Sequence, residues 1–468
     1  MTAGNARRAL LVASSATFLS FLDSTVTNLA VPPVAAEFNV SLTTVAWIAT
    51  AYVIPFAAFL APAGVLADAA GRCRLFMWGV AVFTASSLVI ALAPSFGLLL
   101  AARGLQGVGA AVMVPASLAL VLAEIPAERR RAAIGLWSAA GALAAAAGPA
   151  LGGVVVQTLD WRVLFCLNVP IGLWVLIAAR PMLANETRSG KLPDLLGALL
   201  LAVGIGSVIY ALTEGPDRGW TATRPATALG VAVIAIAAAT LRSARHDRPA
   251  LRLDLLWGSP FAMVSGISAA YGAGLFSSMF TGVLFLVQGW GYSALEAGLA
   301  MTPAALVTAV VGIGVGRLPV AFSPRSMIVA GALPLAASTA LLAATISATP
   351  QFLLIWLPLG CLMGVGVGLL TVGISSAGAV SAPMQHFAAA TGLLMAARQC
   401  GGALGIAVAA VLLAVVIPTT LERPFVIVYW LITGVTLLAA VGGVLLRAPY
   451  SIATVGTASV SAARTGNR

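Results

Sequence analysis

Fourteen predominantly apolar stretches, most of them about twenty residues long, follow one another along this chain of 468 residues, separated by short polar turns. A helix needs about 20 such residues to cross the hydrocarbon core of a bilayer. The stretches fall at roughly 9–32, 44–66, 75–94, 97–123, 132–156, 163–183, 194–213, 225–241, 260–288, 297–316, 326–347, 351–379, 387–416 and 425–446. Composition supports a membrane reading, because 60% of residues are hydrophobic and only 8% are charged. A soluble domain carries about 25% charged residues, and a water-facing surface could not be covered with so few. Lipid needs no such cover, since backbone polar groups are satisfied inside each spanning helix. The expected fold class is an all-α polytopic membrane protein.

The loop charges test the span count. With both termini in the cytoplasm, nineteen of the 25 Lys and Arg residues fall on cytoplasmic segments and four outside, at Arg162, Arg218, Arg224 and Arg423. The other two, Arg103 and Arg398, lie inside spans. That asymmetry follows the positive-inside rule helix by helix, and one miscounted helix would scramble it. The formal net charge of +11 therefore reports topology, and no nucleic-acid partner is expected. Arg7 and Arg8 before the first apolar run resemble a signal peptide. The run is long and contains Asp23, so it reads as the first membrane helix. The longest polar stretches, 184–194 and 242–254, suggest two six-helix bundles, 1–183 and 255–450. The region 184–254 would carry two linker helices with flanking cytoplasmic loops. The Ser-, Ala-, Thr- and Gly-rich tail 451–468 would be disordered.

Several segments carry more than hydrophobicity. The turn between spans two and three holds Gly64, Asp68, Gly71, Arg72 and Arg74. Glycine permits a tight turn, and the acid can cap a helix start or pair with a neighbouring Arg. Span four reads Ala102-Arg103-Gly104-Leu105-Gln106-Gly107. Placing an Arg in hydrocarbon costs about 2.5–3.5 kcal/mol on insertion scales, so Arg103 must face protein, water or a counter-charge. Span five holds Gly141, Gly148, Pro149, Gly152 and Gly153. The proline kinks the helix, and the glycines let a second helix approach closely. Asp23 is the one acid deep in a span. Its nine residues to Pro32 put it about 13 Å below the outer end, and the six from Gly97 put Arg103 about 9 Å below the same side. The two could meet. Asn28, Gln106, Arg398 and Gln399 are polar side chains within spans and are candidates for lining a substrate cavity.

Four cysteines, Cys73, Cys166, Cys361 and Cys400, are scattered without a CxxC or a His at ligand spacing. Neither a disulfide framework nor a metal site is expected. No GxxxxGK[ST] loop occurs, and no nucleophile–base–acid set can be assembled. Neither ATP-driven transport nor an enzyme is expected.

Together these segments resemble the major facilitator superfamily, and within it the fourteen-helix drug:proton antiporters. The resemblance covers nearly the whole chain. The 64–74 turn is similar to the family's signature loop, although Ala69 stands where a basic residue is usual. Further matches lie at Phe21 to Pro32, Asp160-Trp161-Arg162 to Gly172, Gly291 to Gly298 and Arg398 to Gly405. The resemblance implies a gating role for the signature loop and a proton-coupling role for Arg103, with Asp23 as the acid. Within the family the span-five pattern marks exporters. The implied function is proton-coupled efflux of amphipathic small molecules, such as drugs, antibiotics or hydrophobic metabolites, across the cytoplasmic membrane. The alternative is uptake of a small solute by the same fold. The proton gradient would replace any cofactor. The expected partners are the substrate, protons and membrane lipid, and the expected state is a monomer. One deep acid beside two arginines favours neutral, zwitterionic or weakly charged substrates over dications.

Overall fold

The structure is a computed structural model that describes residues 3–45, 47–185, 193–256, 259–315, 322–415 and 423–446. Among the described residues it is helical throughout, with fourteen helices long and apolar enough to span a membrane. We label the membrane helices α1 (Ala3–Phe38), α2 (Trp47–Ala70), α3 (Arg72–Ala91), α4 (Phe96–Glu124) and α5 (Arg130–Thr158). Then come α6 (Asn168–Ala179), α7 (Leu195–Arg218), α8 (Thr223–Ser243), α9 (Pro260–Gln288) and α10 (Ala294–Gly314). The last four are α11 (Pro324–Thr345), α12 (Leu357–Ser381), α13 (Phe387–Val415) and α14 (Arg423–Leu445). The tail 451–468, the stretch 186–192 with Arg188 and Lys191, and residues 316–321 lie outside the described residues.

The helix starts follow from sequence chemistry. Ser95, Ser259 and Ser323 accept hydrogen bonds from the exposed N–H groups at the starts of α4, α9 and α11. Ser293 and Glu296 form a capping box at the start of α10. Glu296 is therefore a cap at a helix end, and contributes no second deep acid. Asp194 caps α7 through the Gly197 N–H at 3.0 Å and pairs with Arg242 of α8 at 2.7 Å.

One boundary differs from the sequence expectation, and two spans that match it are built from more than one helical segment. Helix α1 does not stop at Pro32 but continues through Pro32 and Pro33 to Phe38. Proline removes an amide donor but holds a helical φ. The turns on either side are anchored by Ala30 and Val34, both fully buried. Asn39, with φ 51°, ends the helix. The sixth span begins with a separate turn, Arg162–Cys166, and ends in a 3-10 turn, Arg180–Asn185. The twelfth begins with a π-helical turn, Phe352–Trp356.

Helix α1 packs on α5, and α4 packs on both α2 and α3. In the second half α9 packs on α13, and α11 packs on α12 and α14. The two most extensive seams between the halves are α5 against α10 and α2 against α13. Both rely on backbone contact. A Cβ on Gly135 would lie 2.0 Å from the Gly312 carbonyl oxygen, and one on Gly64 would lie 2.2 Å from that of Ala388. Helix α7 lies against α2 and α13, so it touches both halves. Helix α8 pairs with α7 and exposes Val233, Ile234 and Leu241, as a lipid-facing helix does.

Candidate functional site

The deep charges meet in the first half. Arg103 Nη1 on α4 donates to Asp23 Oδ2 on α1 at 2.6 Å, and the two side chains are 1% and 0% exposed. Asp23 Oδ1 accepts from Gln106 Nε2 at 2.8 Å and from Asn168 Nδ2 at 2.9 Å. Gln106 turns its other end to Arg103, accepting from Nη1 at 2.5 Å. Ser87 Oγ on α3 accepts from both amides and donates to the Phe83 carbonyl. Arg103 Nε donates to the Ile48 carbonyl on α2 at 3.1 Å. Its guanidinium lies 4.6 Å from the Tyr52 ring centre and 5.7 Å from that of Phe165. Five of the first six helices thus contribute to one polar cluster in a low-dielectric interior. Every oxygen of the acid is bonded, which is what makes a buried carboxylate tolerable.

This geometry sorts the sequence candidates. Asp23 and Arg103, placed at similar depth by residue counting, are in direct contact. Gln106, expected in a substrate cavity, is fully buried within the cluster instead. Its amide is complementary to an Arg on one side and a carboxylate on the other, so both ends are consumed. Asn28 lies on α1, and its side chain is outside the described residues. Gln399 is partly buried on α13 and does not line the described cavities. Asn168, Ser87 and Tyr52 were not singled out as site residues. A signal existed for Asn168, the one amide in the stretch 163–183.

At the opposite end of the halves, Asp68 closes α2 onto α13. Its Oδ2 accepts from the Ala389 N–H at 2.8 Å, and its Oδ1 from the Ala388 N–H at 3.3 Å. These are orphan amides of the first turn of α13, where the helix dipole favours a negative charge. Arg72 donates to Asp68 Oδ1 at 2.8 Å and to the Met384 carbonyl at 2.5 Å. The Phe387 ring centre has the Arg72 guanidinium at 5.9 Å and that of Arg130 at 5.2 Å. Gly71 makes the turn possible with φ 108°, a conformation that glycine alone adopts readily. Arg74 follows in the first turn of α3.

Helix α5 presents its glycines to two partners. Cβ atoms built on Gly141, Gly148 and Gly152 would meet Phe21 and Thr17, Thr25, and Leu29 of α1 respectively. One on Gly153 would meet Leu295 of α10 in the other half, and Pro149 contacts Gly298 there. Between the halves lies a cavity of about 30 Å³. Its walls include Trp137 and Leu118 from the first half and Tyr271, Thr371 and Arg398 from the second. A drug-sized ligand needs roughly 300 Å³ or more, so this space is too small to hold a whole substrate. Among the described residues no group of three or more His, Cys, Asp or Glu could hold a metal.

Fourteen membrane helices in two facing halves, with an ion pair buried in one of them, are the build of a polytopic membrane transporter. The chain belongs to the Major Facilitator Superfamily, whose family model matches residues 13–405. Its fold is that of two six-helix bundles with two added central helices, and its fourteen spans fit the fourteen-helix drug:proton antiporter family. It is similar to the methylenomycin A resistance protein of Streptomyces coelicolor, with 34% identity covering 84% of this chain and 83% of that protein. It is also similar to the tetracenomycin C resistance and export protein of Streptomyces glaucescens, with 32% identity covering 86% and 75% of the two chains. Among solved structures, the human organic anion transporter MFSD10 superposes with a TM-score of 0.69. The superposition covers 94% of this chain and 99% of that one, and at 16% identity it establishes the fold alone.

Proposed function

We propose that this protein exports amphipathic small molecules across the cytoplasmic membrane, driven by inward proton movement, with both termini in the cytoplasm. The observation that carries the reading is the Asp23–Arg103 pair, a buried carboxylate held by a buried guanidinium. A proton on Asp23 cancels the charge that Arg103 and two amides hold in place, and so weakens the contacts of α1 with α4 and α6. Helix α1 also packs along α5, and α5 forms the seam with α10. A change of charge at Asp23 therefore bears on a helix that faces the other half. Gly64, Asp68, Gly71 and Arg72 supply the cytoplasmic closure. The export direction is supported by the relatives, named for resistance to methylenomycin A and for resistance to and export of tetracenomycin C. The substrate is a small molecule, and the energy source is the proton gradient.

Everted membrane vesicles test the proposal directly. Acidifying the lumen should drive accumulation of methylenomycin A, tetracenomycin C or another antibiotic from a panel, and collapsing the pH gradient should abolish it. Accumulation in right-side-out vesicles alone would identify an uptake transporter and overturn the export reading.

A further inference from the structure

We propose that Arg398 and the cavity in front of it form a subsite for an anionic group on the substrate, a carboxylate, sulfonate or ionised phenol carried on an apolar body. The inference rests on the export reading and names its substrate class.

Among the described residues no acid answers the charge of Arg398. Its Nε is buried without a hydrogen-bond partner. Among the described residues the ion pairs involve other arginines, and no Asp or Glu lines the cavity. A guanidinium keeps its proton in any protein environment, and Arg398 is half-buried at the cavity wall, so its charge is partly desolvated and open to an incoming anion. The contrast with Arg103 is direct. That side chain has a carboxylate, an amide oxygen, a backbone carbonyl and two rings. A partner for Arg398 must come from elsewhere.

The backbone sets the side chain's direction. Helix α9 passes so close that a Cβ on Gly272 would lie 2.0 Å from the Arg398 carbonyl oxygen and 2.9 Å from its Cγ. A Cβ on Gly401 would lie 2.0 Å from the Ala269 carbonyl oxygen, which locks the same two helices one turn further on. The backbone and Cγ of Arg398 are thus fixed between packed helices, and its side chain lines the cavity wall. Around it stand neutral polar groups already engaged with one another. Tyr271 and Thr371 share a hydrogen bond of 2.7 Å, and Ser268 donates to the Leu394 carbonyl. Trp137, Leu118 and Phe387 provide apolar surface. One cation among neutral polar and apolar groups matches an amphipathic molecule with a single negative group, and repels a cation. At about 30 Å³ the cavity is far smaller than a whole substrate, so binding needs the halves to part.

Two probes with one skeleton test this. 8-Anilinonaphthalene-1-sulfonate is anionic, and N-phenyl-1-naphthylamine lacks the sulfonate. Their affinities are measured on the purified full-length protein by quenching of its tryptophan fluorescence. The wild type should bind the sulfonate at least tenfold more tightly. Arg398→Gln should bring the ratio of affinities close to one by weakening the sulfonate arm, and Arg398→Lys should retain an intermediate preference. Monodispersity in size-exclusion chromatography shows that each variant is folded, and the wild-type ratio tests the subsite without any variant. Equal affinities in the wild type, or an undiminished preference in Arg398→Gln, overturn the inference. Failure of the export reading looks different: sulfonate binding that depends on Arg398, without proton-driven movement of either probe in everted vesicles.

Discussion

Replacing Asp23 with Asn changes one atom and separates the proton-linked role of the site from its shape. The amide oxygen can take the place of Oδ1 and keep the bonds from Gln106 and Asn168, now 2.8 and 2.9 Å long. The amide nitrogen then occupies the place of Oδ2, facing Arg103 Nη1 at a distance that is now 2.6 Å. Two donors oppose each other, and Arg103 becomes a buried charge without its counter-charge. Removing one partner of a buried pair costs about 3–5 kcal/mol. Arg103 keeps the Gln106 and Ile48 oxygens, so the lower end, about 3 kcal/mol, is expected. At 1.36 kcal/mol per tenfold, that weakens the cluster's arrangement by roughly a hundredfold. Asp23→Asn should insert and fold, lose substrate accumulation driven by the pH gradient, and retain downhill exchange in proteoliposomes. Adding Arg103→Gln removes the orphaned charge, so the double variant should be more stable than the two single changes predict by roughly 0.5–3 kcal/mol. Gradient-driven accumulation by Asp23→Asn at the wild-type rate would refute the coupling role.

Three further outcomes are expected. Gly152→Leu puts side-chain atoms where Leu29 Cδ1 stands 2.6 Å from the new Cβ, an overpacking worth about 1–3 kcal/mol; transport in vesicles should fall severalfold while membrane insertion is unchanged. Gly64→Ala drives a methyl group into the Ala388 backbone and separates Asp68 from the α13 amides, so a cysteine at Thr391 should react faster with a small maleimide added from the cytoplasmic side. Burial pulls the Asp194 carboxyl upward, but Arg242 and the Gly197 N–H outweigh it and hold the group below the usual carboxylate range. A depressed folded value means that the pair's stabilisation is present above the unfolded value, about 3.9, and disappears as pH falls through the folded one. The difference in thermal stability between wild type and Asp194→Asn should therefore be constant from about pH 5 upward and shrink in stronger acid.

Much of this protein is legible in its sequence because the bilayer is a severe solvent. Each span must be apolar over about 20 residues and must satisfy its own backbone. The number of helices and the cost of an intramembrane charge are therefore local properties of the chain. Asp23, Arg103 and Arg398 stand out for that reason. What the sequence left open depends on which helices face each other. Gln106 is marked only as a polar residue in a span. That it serves the ion pair and does not line the cavity follows from α1, α4 and α6 converging on one point. Asp68 reads as the acid of a turn, but its amide partners lie 320 and 321 residues away on α13. The continuation of α1 past two prolines is likewise decided by the packing of Ala30 and Val34. Arg103 and Arg398 look equivalent in the sequence, two arginines in two spans. Only the packed halves give a carboxylate to one and leave the other facing a cavity, because a counter-charge is a matter of spatial neighbours, and chain order does not assign them.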